Sequence, residues 1–459
     1  MEELIFEDVK ALLSKDNEKA LKKYLDQLNI SDVEELIDEF PKHAAKFIKT
    51  LSLNRAVNAF RILDFPTQER IIKKLSANKL NSIIKNMPPD DRTALFGKFQ
   101  GDVLTKMVAV LSPEDRKESL ALLGYEEDSV GRLMTPDYVS VRAYWTISRV
   151  LAYIRRVGKN SETIDVIYIL DKNGVLIDDI KIRSVLLADP ESIVGELTDN
   201  RFISLKATDH QEEAISIFRM NNRVALPVVD GENIMLGIVT VDDILWVANE
   251  EYTEDMQKFG GTEALDEPYL DIPLLRLVKK RASWLVVLFL GEMLTATAMQ
   301  YFEVELQKAV VLSLFIPLIM SSGGNSGSQA STLIIQAMAL GEVTLAEWWK
   351  VMKRELISGS LLGAILGTVG LTRIVIWQNM HLYDYGPHWW LIAVTIFFTL
   401  IGIVLWGSLI GSMMPLLLKR LKLDPATSSA PFVATLVDVT GIVIYFSVAV
   451  LILRGTLLK

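Results

Sequence analysis

The chain has 459 residues, a hydrophobic content of 50% and a formal net charge of −9. The first 281 residues carry 48 of the 57 acidic and 38 of the 48 basic residues, so the front part is acidic and polar. The rest of the chain has few charged residues, and their charges nearly balance. An acidic excess does not suit nucleic acid, whose phosphates select basic surfaces, and the absence of cysteine excludes disulfides and thiolate metal sites.

Residues 1–130 read as a series of short helices. Pro66, Pro88 and Pro113 recur about every 24 residues, and acidic residues follow the last two, which is favourable chemistry for the first turn of a helix. The short period predicts an all-α superhelical N-terminal domain, which alone indicates a scaffold or interaction module. Residues 1–15 are acidic and amphipathic, unlike a signal peptide, so we expect the front part to stay in the cytoplasm.

Residues 131–248 show a second internal repeat, in which β-branched strands alternate with helices at a spacing of 59 residues. The segment from Val166 to Asp171 parallels that from Ala225 to Asp230. This repeat resembles a tandem pair of cystathionine-β-synthase (CBS) domains, which implies an α/β regulatory pair. In that family a Gly-x-x-Thr-x-x-Asp stretch, here Gly237, Thr240 and Asp243, can hold the ribose of ATP or another adenine nucleotide. The alternative is that Thr240 and Asp243 cap the following helix.

Residues 249–275 are predicted to be a linking helix between the CBS pair and the membrane part. In a helix, Glu251, Glu254 and Asp255 share one face, and Asp242 and Asp243 lie about two turns earlier. Carboxylates packed this closely repel one another. A solvated acidic surface and a divalent-cation site both explain the run, and its place between a regulatory pair and the first span favours the cation.

Residues 276–459 contain five apolar stretches near the length of about 20 residues that spans a bilayer. They predict an α-helical transmembrane domain with spans at 282–302, 309–339, 356–377, 389–418 and 430–453. Lysine and arginine cluster before the first span, between the second and third, and between the fourth and fifth, whereas an acidic loop at 303–307 follows the first span. This bias predicts a multi-pass protein with its N-terminus in the cytoplasm and its C-terminus outside.

The second predicted span contains the polar run Ser321–Thr332, and the fifth contains one acid, Asp438. Polar groups at this depth need partners or water, and an unpaired carboxylate there is best explained by a cation. Pro317 and Pro431 are predicted to free backbone carbonyls of Ser313 and Thr427 within the spans. Freed carbonyls and hydroxyls within the spans suit a hard cation.

The whole order of parts resembles the MgtE family of magnesium transporters and channels. The specific motifs are Pro317 with Gly323–Gln329 in span two, and Asp424-Pro425-Ala426 followed by Pro431 and Ala434–Asp438 before and within span five. The chain departs from the family pattern at Ala430, where relatives often carry Asn, and at Trp246, where relatives can carry an acid.

The resemblance implies a homodimer whose two copies of Asp438 flank one pore axis, with magnesium as both cargo and regulator. The pore candidates are Asp438, Ala434, Thr435, Gly324, Asn325, Ser328 and Thr332. The regulatory metal candidates are Asp91, Asp230, Asp243, Glu251, Glu254 and Asp255. High cytoplasmic magnesium would close the pore through the linking helix, in a cell inner membrane.

Two rival functions remain open at the level of sequence. An ion-coupled secondary transporter of magnesium or cobalt would use Glu292, the acid in span one, as a proton site. A membrane-tethered adenine-nucleotide sensor would use the spans only as an anchor, against which the polar inset of span two argues. An enzyme is not expected, because no nucleophile–base pair stands out and the chain has four scattered histidines.

Overall fold

The computed structural model describes residues 2–14, 17–99, 101–109, 111–199, 201–265, 267, 269–270 and 272–458. The chain divides into two compact units, the front unit Met1–Glu251 and the membrane unit Tyr252–Lys459. Each has its own hydrophobic cores. This architecture confirms the predicted combination of a helical domain, a CBS pair and five candidate membrane helices.

The first half of the front unit is helical throughout. The helices follow one another through short turns, and those up to residue 111 bury apolar faces in one continuous core, whereas the last two contribute Leu122 and Val130 to the core of the second CBS module. Three of the helices have proline in the first turn: Phe65–Lys74 (α6), Pro89–Lys98 (α8) and Pro113–Leu123 (α10). These are the helix starts that the proline repeat predicted. The helices are α1 Glu2–Ser14, α2 Glu18–Leu25, α3 Ile30–Glu39, α4 Ala44–Thr50, α5 Leu53–Arg61, α6 Phe65–Lys74, α7 Ala77–Lys85, α8 Pro89–Lys98, α9 Asp102–Ala109, α10 Pro113–Leu123 and α11 Val130–Leu133.

The second half of the front unit consists of two modules with the same topology. In each, a short strand pairs in parallel with a central buried strand, which pairs antiparallel with the third. The first module contains β1 Ser140–Val141, α12 Ile147–Val157, β2 Val166–Leu170, β3 Leu176–Lys181 and α13 Ile182–Leu187; the second contains β4 Leu205–Lys206, α14 Gln211–Asn221, β5 Ala225–Val229, β6 Met235–Thr240 and α15 Val241–Phe259. The central strands β2 and β5 are the segments related by the 59-residue repeat, and both are buried along their length.

Helix α15 begins inside the second CBS module and continues past residue 251 into the membrane unit. It ends at Phe259, so the helix predicted for 249–275 is shorter than expected. Gly261, which follows the helix, has a φ of +75°, a left-handed conformation that glycine adopts without strain. Positions 266, 268 and 271 of the predicted linking segment lie outside the described residues.

The membrane unit contains five helices long and apolar enough to cross a bilayer among the residues described. The second of these helices, Ile316–Ala339 (α18), packs against the fourth, Trp389–Arg420 (α20), and the fifth, Ala430–Leu453 (α21). The third, Trp348–Asn379 (α19), packs along α20, and the first, Leu274–Tyr301 (α16), packs on α21. The helices are α16 Leu274–Tyr301, α17 Glu303–Lys308, α18 Ile316–Ala339, α19 Trp348–Asn379, α20 Trp389–Arg420 and α21 Ala430–Leu453; α17 is a single short helix between the first two spans, and a 3₁₀ segment Val310–Phe315 precedes α18.

Two details of the membrane unit differ from the sequence prediction. The segment at 303–307, expected to be a loop, is the short helix α17, whose first turn is acidic and whose last residue is Lys308. Helix α19 begins at Trp348, eight residues before the third span predicted from the sequence. Its first turns contain the basic residues Lys350, Lys353 and Arg354. Gly359, Gly363 and Gly367, spaced four residues apart on this helix, face α20, as expected for close packing of helices.

Candidate ion pathway and candidate metal sites

The polar run of α18 divides into two faces with different partners. On one face, the small and hydroxyl residues are buried against α20 and α21: the Ser326 hydroxyl lies 2.8 Å from that of Ser408, and the Ser331 hydroxyl donates to the Ser428 carbonyl at 3.0 Å. The other face carries an exposed polar line at helical spacing, made of Ser321, Asn325, Gln329 and Thr332. Six of the twelve residues of the run are therefore buried by helix packing, and four remain at the surface of the described chain.

Glycine allows α18 and α20 to approach to backbone contact. A Cβ atom added to Gly411 would lie 2.0 Å from the carbonyl oxygen of Gly327, a distance that no side chain tolerates. Small residues at helix interfaces are the usual means of such close packing in membranes. This contact fixes the position of α18, and therefore of its exposed polar line, along α20.

Asp438 lies in the middle of α21 and is half-buried. Ala434, one turn earlier on the same face, is in contact range of Gly324 on α18, where an added Cβ would lie 3.4 Å from that of Ala434. The Thr435 hydroxyl donates back to the Pro431 carbonyl at 3.0 Å. The structure thus brings Gly324 and Ala434 together, one turn from the carboxylate.

The remaining pore candidates are on α18. The Asn325 amide nitrogen donates to the Ser321 hydroxyl at 3.3 Å, within the exposed polar line. The Ser328 hydroxyl donates to the Ala430 carbonyl at 3.2 Å and joins α18 to the start of α21, while Thr332 donates to the Ser328 carbonyl at 2.8 Å. Asn325 and Thr332 are exposed, and Ser328 is half-buried.

The prediction that Pro317 and Pro431 free backbone carbonyls within the spans is wrong. Both prolines lie in the first turn of their helices, where the backbone nitrogen has no helical acceptor, so they begin α18 and α21 without interrupting them. The proline inside a membrane helix is Pro415 of α20, which the sequence analysis missed. Because it cannot donate to the residue four positions earlier, it leaves the carbonyl of Gly411 without that bond, beside the α18 contact.

The front unit contains a carboxylate cluster between the helical domain and the second CBS module. Asp90 and Asp91 begin α8, Asp242 and Asp243 begin α15, and Glu162 precedes β2. Helix starts favour acids because the helix dipole is positive there. Two predicted regulatory residues, Asp91 and Asp243, meet in this cluster. Negative charges of the helical domain and of the CBS module therefore face one another where these two parts meet.

One arginine lies among these acids. Arg61, the last residue of α5, forms an ion pair with Asp91, and its charge also interacts with Glu162, Asp90 and Asp243. Neither Arg61 nor Glu162 was selected from the sequence. Both are far from Asp243 along the chain, so only the tertiary structure identifies them as neighbours.

The protonation of the cluster reflects its burial. Burial raises the pKa of Asp243 to about 7, against a hydrogen bond from Thr240 that lowers it, and the charges of Asp242, Asp91 and Glu162 raise it further. Burial, followed by the Asp243 and Asp91 charges, also raises the pKa of Asp90 well above its usual value. Asp90 is only 5% exposed, and its Oδ1 has no hydrogen-bond partner among the described residues. Clustered carboxylate oxygens with an unpartnered buried acceptor are suitable ligands for Mg²⁺.

The other regulatory candidates lie elsewhere. Asp230 forms the turn between β5 and β6, where its Oδ1 accepts from the backbone nitrogens of Glu232 and Ile234, each at 2.9 Å. Glu251 lies beside His210 and Glu212, with one ligand atom of each within 4.8 Å of the others. This group was also missed, because its members come from α15 and from the start of α14.

Glu254 and Asp255 belong to the membrane unit, on the second half of α15. Glu254 forms an ion pair with Lys258 on the same helix, and Lys258 also pairs with Asp424, in the segment before α21. Asp255 takes part in a further polar or electrostatic interaction. Asp424 belongs to the motif that carried the family resemblance, but its contact with α15 depends on the fold.

The three nucleotide candidates lie at the end of β6 and the start of α15: Gly237 and Thr240 are in β6, and Asp243 is in the first turn of α15. The Thr240 hydroxyl donates to the Asp243 carboxylate at 2.5 Å, across the first turn of the helix. Gly237 packs against the backbone of Thr135, near the start of the CBS region, where an added Cβ would lie 2.6 Å from the Thr135 carbonyl oxygen. The close approach to Thr135 explains why glycine is needed at 237, and the Thr240–Asp243 bond joins two side chains and does not cap a backbone nitrogen.

Comparisons with known proteins cover both units. Residues 316–448 match the family model described as a divalent cation transporter, MgtE; residues 28–128 match the MgtE intracellular N domain; and residues 194–250 match a CBS domain. The chain is 38% identical over 346 residues to the magnesium transporter MgtE of Thermus thermophilus, covering 75% of each protein. It is 27% identical over 426 residues to that of Bacillus subtilis, covering 93% of this chain and 92% of the relative.

A solved structure described as the cytosolic domain of the Mg²⁺ channel MgtE in complex with ATP is also similar. It shares 31% sequence identity with a TM-score of 0.50, and the alignment covers 52% of this chain and 98% of that one. The matches thus extend through the helical domain, the CBS modules and the membrane helices. On this identity and coverage, the chain is a multi-pass membrane protein that belongs to the MgtE family of magnesium transporters.

Proposed function

We propose that the protein is a magnesium-selective channel that carries Mg²⁺ into the cytoplasm and that closes when cytoplasmic Mg²⁺ binds to the front unit. The observation that carries this proposal is the half-buried Asp438 one turn from the contact between α18 and α21, on a helix that packs against the one carrying the exposed polar line. A carboxylate and a row of hydroxyls and amides in a membrane helix are costly in lipid, and they suit a hydrated cation.

The exposed polar line supports a homodimer. Ser321, Asn325, Gln329 and Thr332 would be in contact with lipid in a single chain, although lipid cannot satisfy their hydrogen bonds. A second copy of the chain that presents the same line across a two-fold axis would enclose these groups around water and ions. The two copies of Asp438 would then bind one divalent ion more strongly than a monovalent one, because the attraction doubles with ion charge.

The regulatory ions would bind to carboxylates of the front unit and of the second half of α15. Asp91 and Asp243 are the strongest candidates because they meet in the carboxylate cluster, where a divalent cation would relieve their repulsion. Glu251, Glu254 and Asp255 lie further along α15, which continues into the membrane unit and can transmit a change. Asp230, in its hairpin turn, completes the proposed set.

The proposed orientation places the N-terminus in the cytoplasm and the C-terminus outside the cell inner membrane. The basic residues at the start of α16, in the first turns of α19 and at the end of α20 support it. The membrane potential then drives entry, with about 2.3 kcal/mol per elementary charge for each 100 mV. We also propose an adenine-nucleotide site in the CBS pair at Gly237, Thr240 and Asp243, which the ATP complex of the similar cytosolic domain supports.

The proposal is tested by Mg²⁺ flux into proteoliposomes with Mg²⁺ titrated on the face that carries the front unit. We expect flux that follows the membrane potential and is inhibited by Mg²⁺ on that face, and we expect a chain lacking residues 1–245 to lose the inhibition. Flux that stops when the proton gradient is collapsed at constant potential would instead favour coupled transport. Absence of flux together with tight nucleotide binding would favour a sensor.

A further inference from the structure

Lys258 connects the end of α15 to the segment that precedes α21. Its Nζ lies 2.7 Å from Oδ2 of Asp424, and it also pairs with Glu254, one helical turn earlier. Asp424 is 166 residues further along the chain. One ammonium group therefore bridges two carboxylates from distant segments, which is the arrangement that a divalent cation would otherwise provide.

We propose that Lys258 is a built-in cation that holds the end of α15 against the segment before α21 in the absence of metal, and that competes with divalent cations for Glu254 and Asp424. This contact, the Lys258 tether, is independent of the proposed function, whereas its effect on ion flux rests on that function. Without a cation between them, the two carboxylates would repel one another and weaken the contact.

The surroundings of Lys258 support a persistent bridge. The side chains of the lysine, Glu254 and Asp424 are 29%, 37% and 36% exposed, so water screens the bridge only in part. Partial burial alone would lower the pKa of Lys258, but the hydrogen bonds to Asp424 and Glu254 outweigh it and raise that pKa above its ordinary value. The ammonium group therefore remains charged at neutral pH.

Further contacts join the end of α15 and the start of α21 to a third segment, α16. The Trp284 indole nitrogen, near the start of α16, donates to the Ser429 hydroxyl, the cap of α21, at 3.2 Å. Gly261, just beyond α15, is so close to this indole that an added Cβ would lie 2.9 Å from it. The end of α15, the base of α16 and the start of α21 thus form one contact region. Lys258 supplies its positive charge next to Asp424.

The tether predicts that Lys258→Met loosens the end of α15 when metal is removed. Methionine keeps an unbranched apolar side chain but has no charge. In the full-length protein in EDTA, we expect amide exchange of residues 254–262 to be faster by about two- to fivefold, the range expected for a partly exposed ion pair. Lys258→Arg, which can still bridge both carboxylates, should behave as the wild type. The control is Lys350→Met, which removes an 80% exposed lysine paired with Glu347 and should leave this exchange unchanged.

Competition with metal predicts a second difference. Added Mg²⁺ should slow the exchange of Lys258→Met back to the wild-type rate, and it should change the wild type less, because the ammonium group already occupies the bridge. In flux assays Lys258→Met should carry more ions at zero Mg²⁺ on the side of the front unit, with the two proteins becoming equal at high Mg²⁺.

Unchanged exchange of Lys258→Met in EDTA, or exchange of Lys258→Arg as fast as that of Lys258→Met, would overturn the tether. If exchange changes as expected but no variant carries Mg²⁺, the tether stands and the proposed channel function fails. If flux is regulated by Mg²⁺ but Lys258→Met equals the wild type in exchange and in flux, the channel function stands and the tether fails.

Discussion

The two units of the chain use carboxylates in opposite ways. The front unit gathers Asp90, Asp91, Glu162, Asp242 and Asp243 around one arginine, whereas the fifth membrane helix carries a single acid, Asp438, whose charge interacts with that of Glu292 on α16. A crowded cluster is sensitive to cation concentration, because each bound ion relieves several repulsions at once. A site with few carboxylates attracts an ion but releases it again, which suits passage.

The largest expected effect separates the two uses of acid. Asp438→Asn should reduce Mg²⁺ flux by about 100-fold or more, because two unit charges 4 Å apart attract by roughly 4 kcal/mol at an effective dielectric constant of 20 and each 1.4 kcal/mol is tenfold. The measurement is initial flux into proteoliposomes. Asp384→Asn, an acid in the exposed turn between α19 and α20, is the matched control and should keep wild-type flux. Wild-type flux in Asp438→Asn would contradict the role of Asp438.

A smaller effect is expected from the front unit. Asp243→Asn should keep maximal flux but should raise the Mg²⁺ concentration for half-inhibition by about tenfold, the change that corresponds to 1.4 kcal/mol of lost ion binding. Glu250→Gln, an exposed acid on the same helix, is the control. Loss of maximal flux in Asp243→Asn, or an unchanged inhibition curve, would remove the distinction between the two units.

The smallest effect concerns pH in the absence of metal. Because the Asp243 pKa is raised from 3.8 to about 7 in the fold, the folded cluster holds a proton that the unfolded chain has already lost. The stability of the front unit in EDTA should therefore fall as pH rises from about 4 to about 7 and should then level off. Amide exchange of α8 and α15, corrected for intrinsic rates, measures this. Asp243→Asn should flatten the profile, and a profile that rises with pH would contradict the assignment.

Much of the architecture could be predicted because the patterns are local. The 59-residue repeat located the equivalent strands β2 and β5, and apolar runs located the five membrane helices, although α15 ended earlier and α19 began earlier than expected. The prolines were placed correctly but interpreted wrongly, since sequence alone does not distinguish a proline that begins a helix, such as Pro317, from one inside it, such as Pro415.

The candidate sites were less predictable from sequence. The residues chosen from the pattern, such as Asp91 and Asp243, are acids at helix starts or in motifs. Arg61 and Glu162 have no local signal, because their partners lie on other segments, and the local pair of Lys258 with Glu254 does not reveal the contact of Lys258 with Asp424. A cation-binding region depends on which charges meet across the fold, and the sum of those charges cannot be obtained from one helix at a time.

The sequence by itself determined the polar run of α18, the acid of α21, the order of domains and the family, because composition and periodicity are properties of contiguous residues. Only the tertiary structure decided that half of the polar run is used to pack α18 on α20 and α21, while Ser321, Asn325, Gln329 and Thr332 stay exposed. It also decided which acids have a protein cation as a partner. The physical reason is that burial and electrostatic interaction depend on distance in space, which the fold sets and the spacing of residues does not.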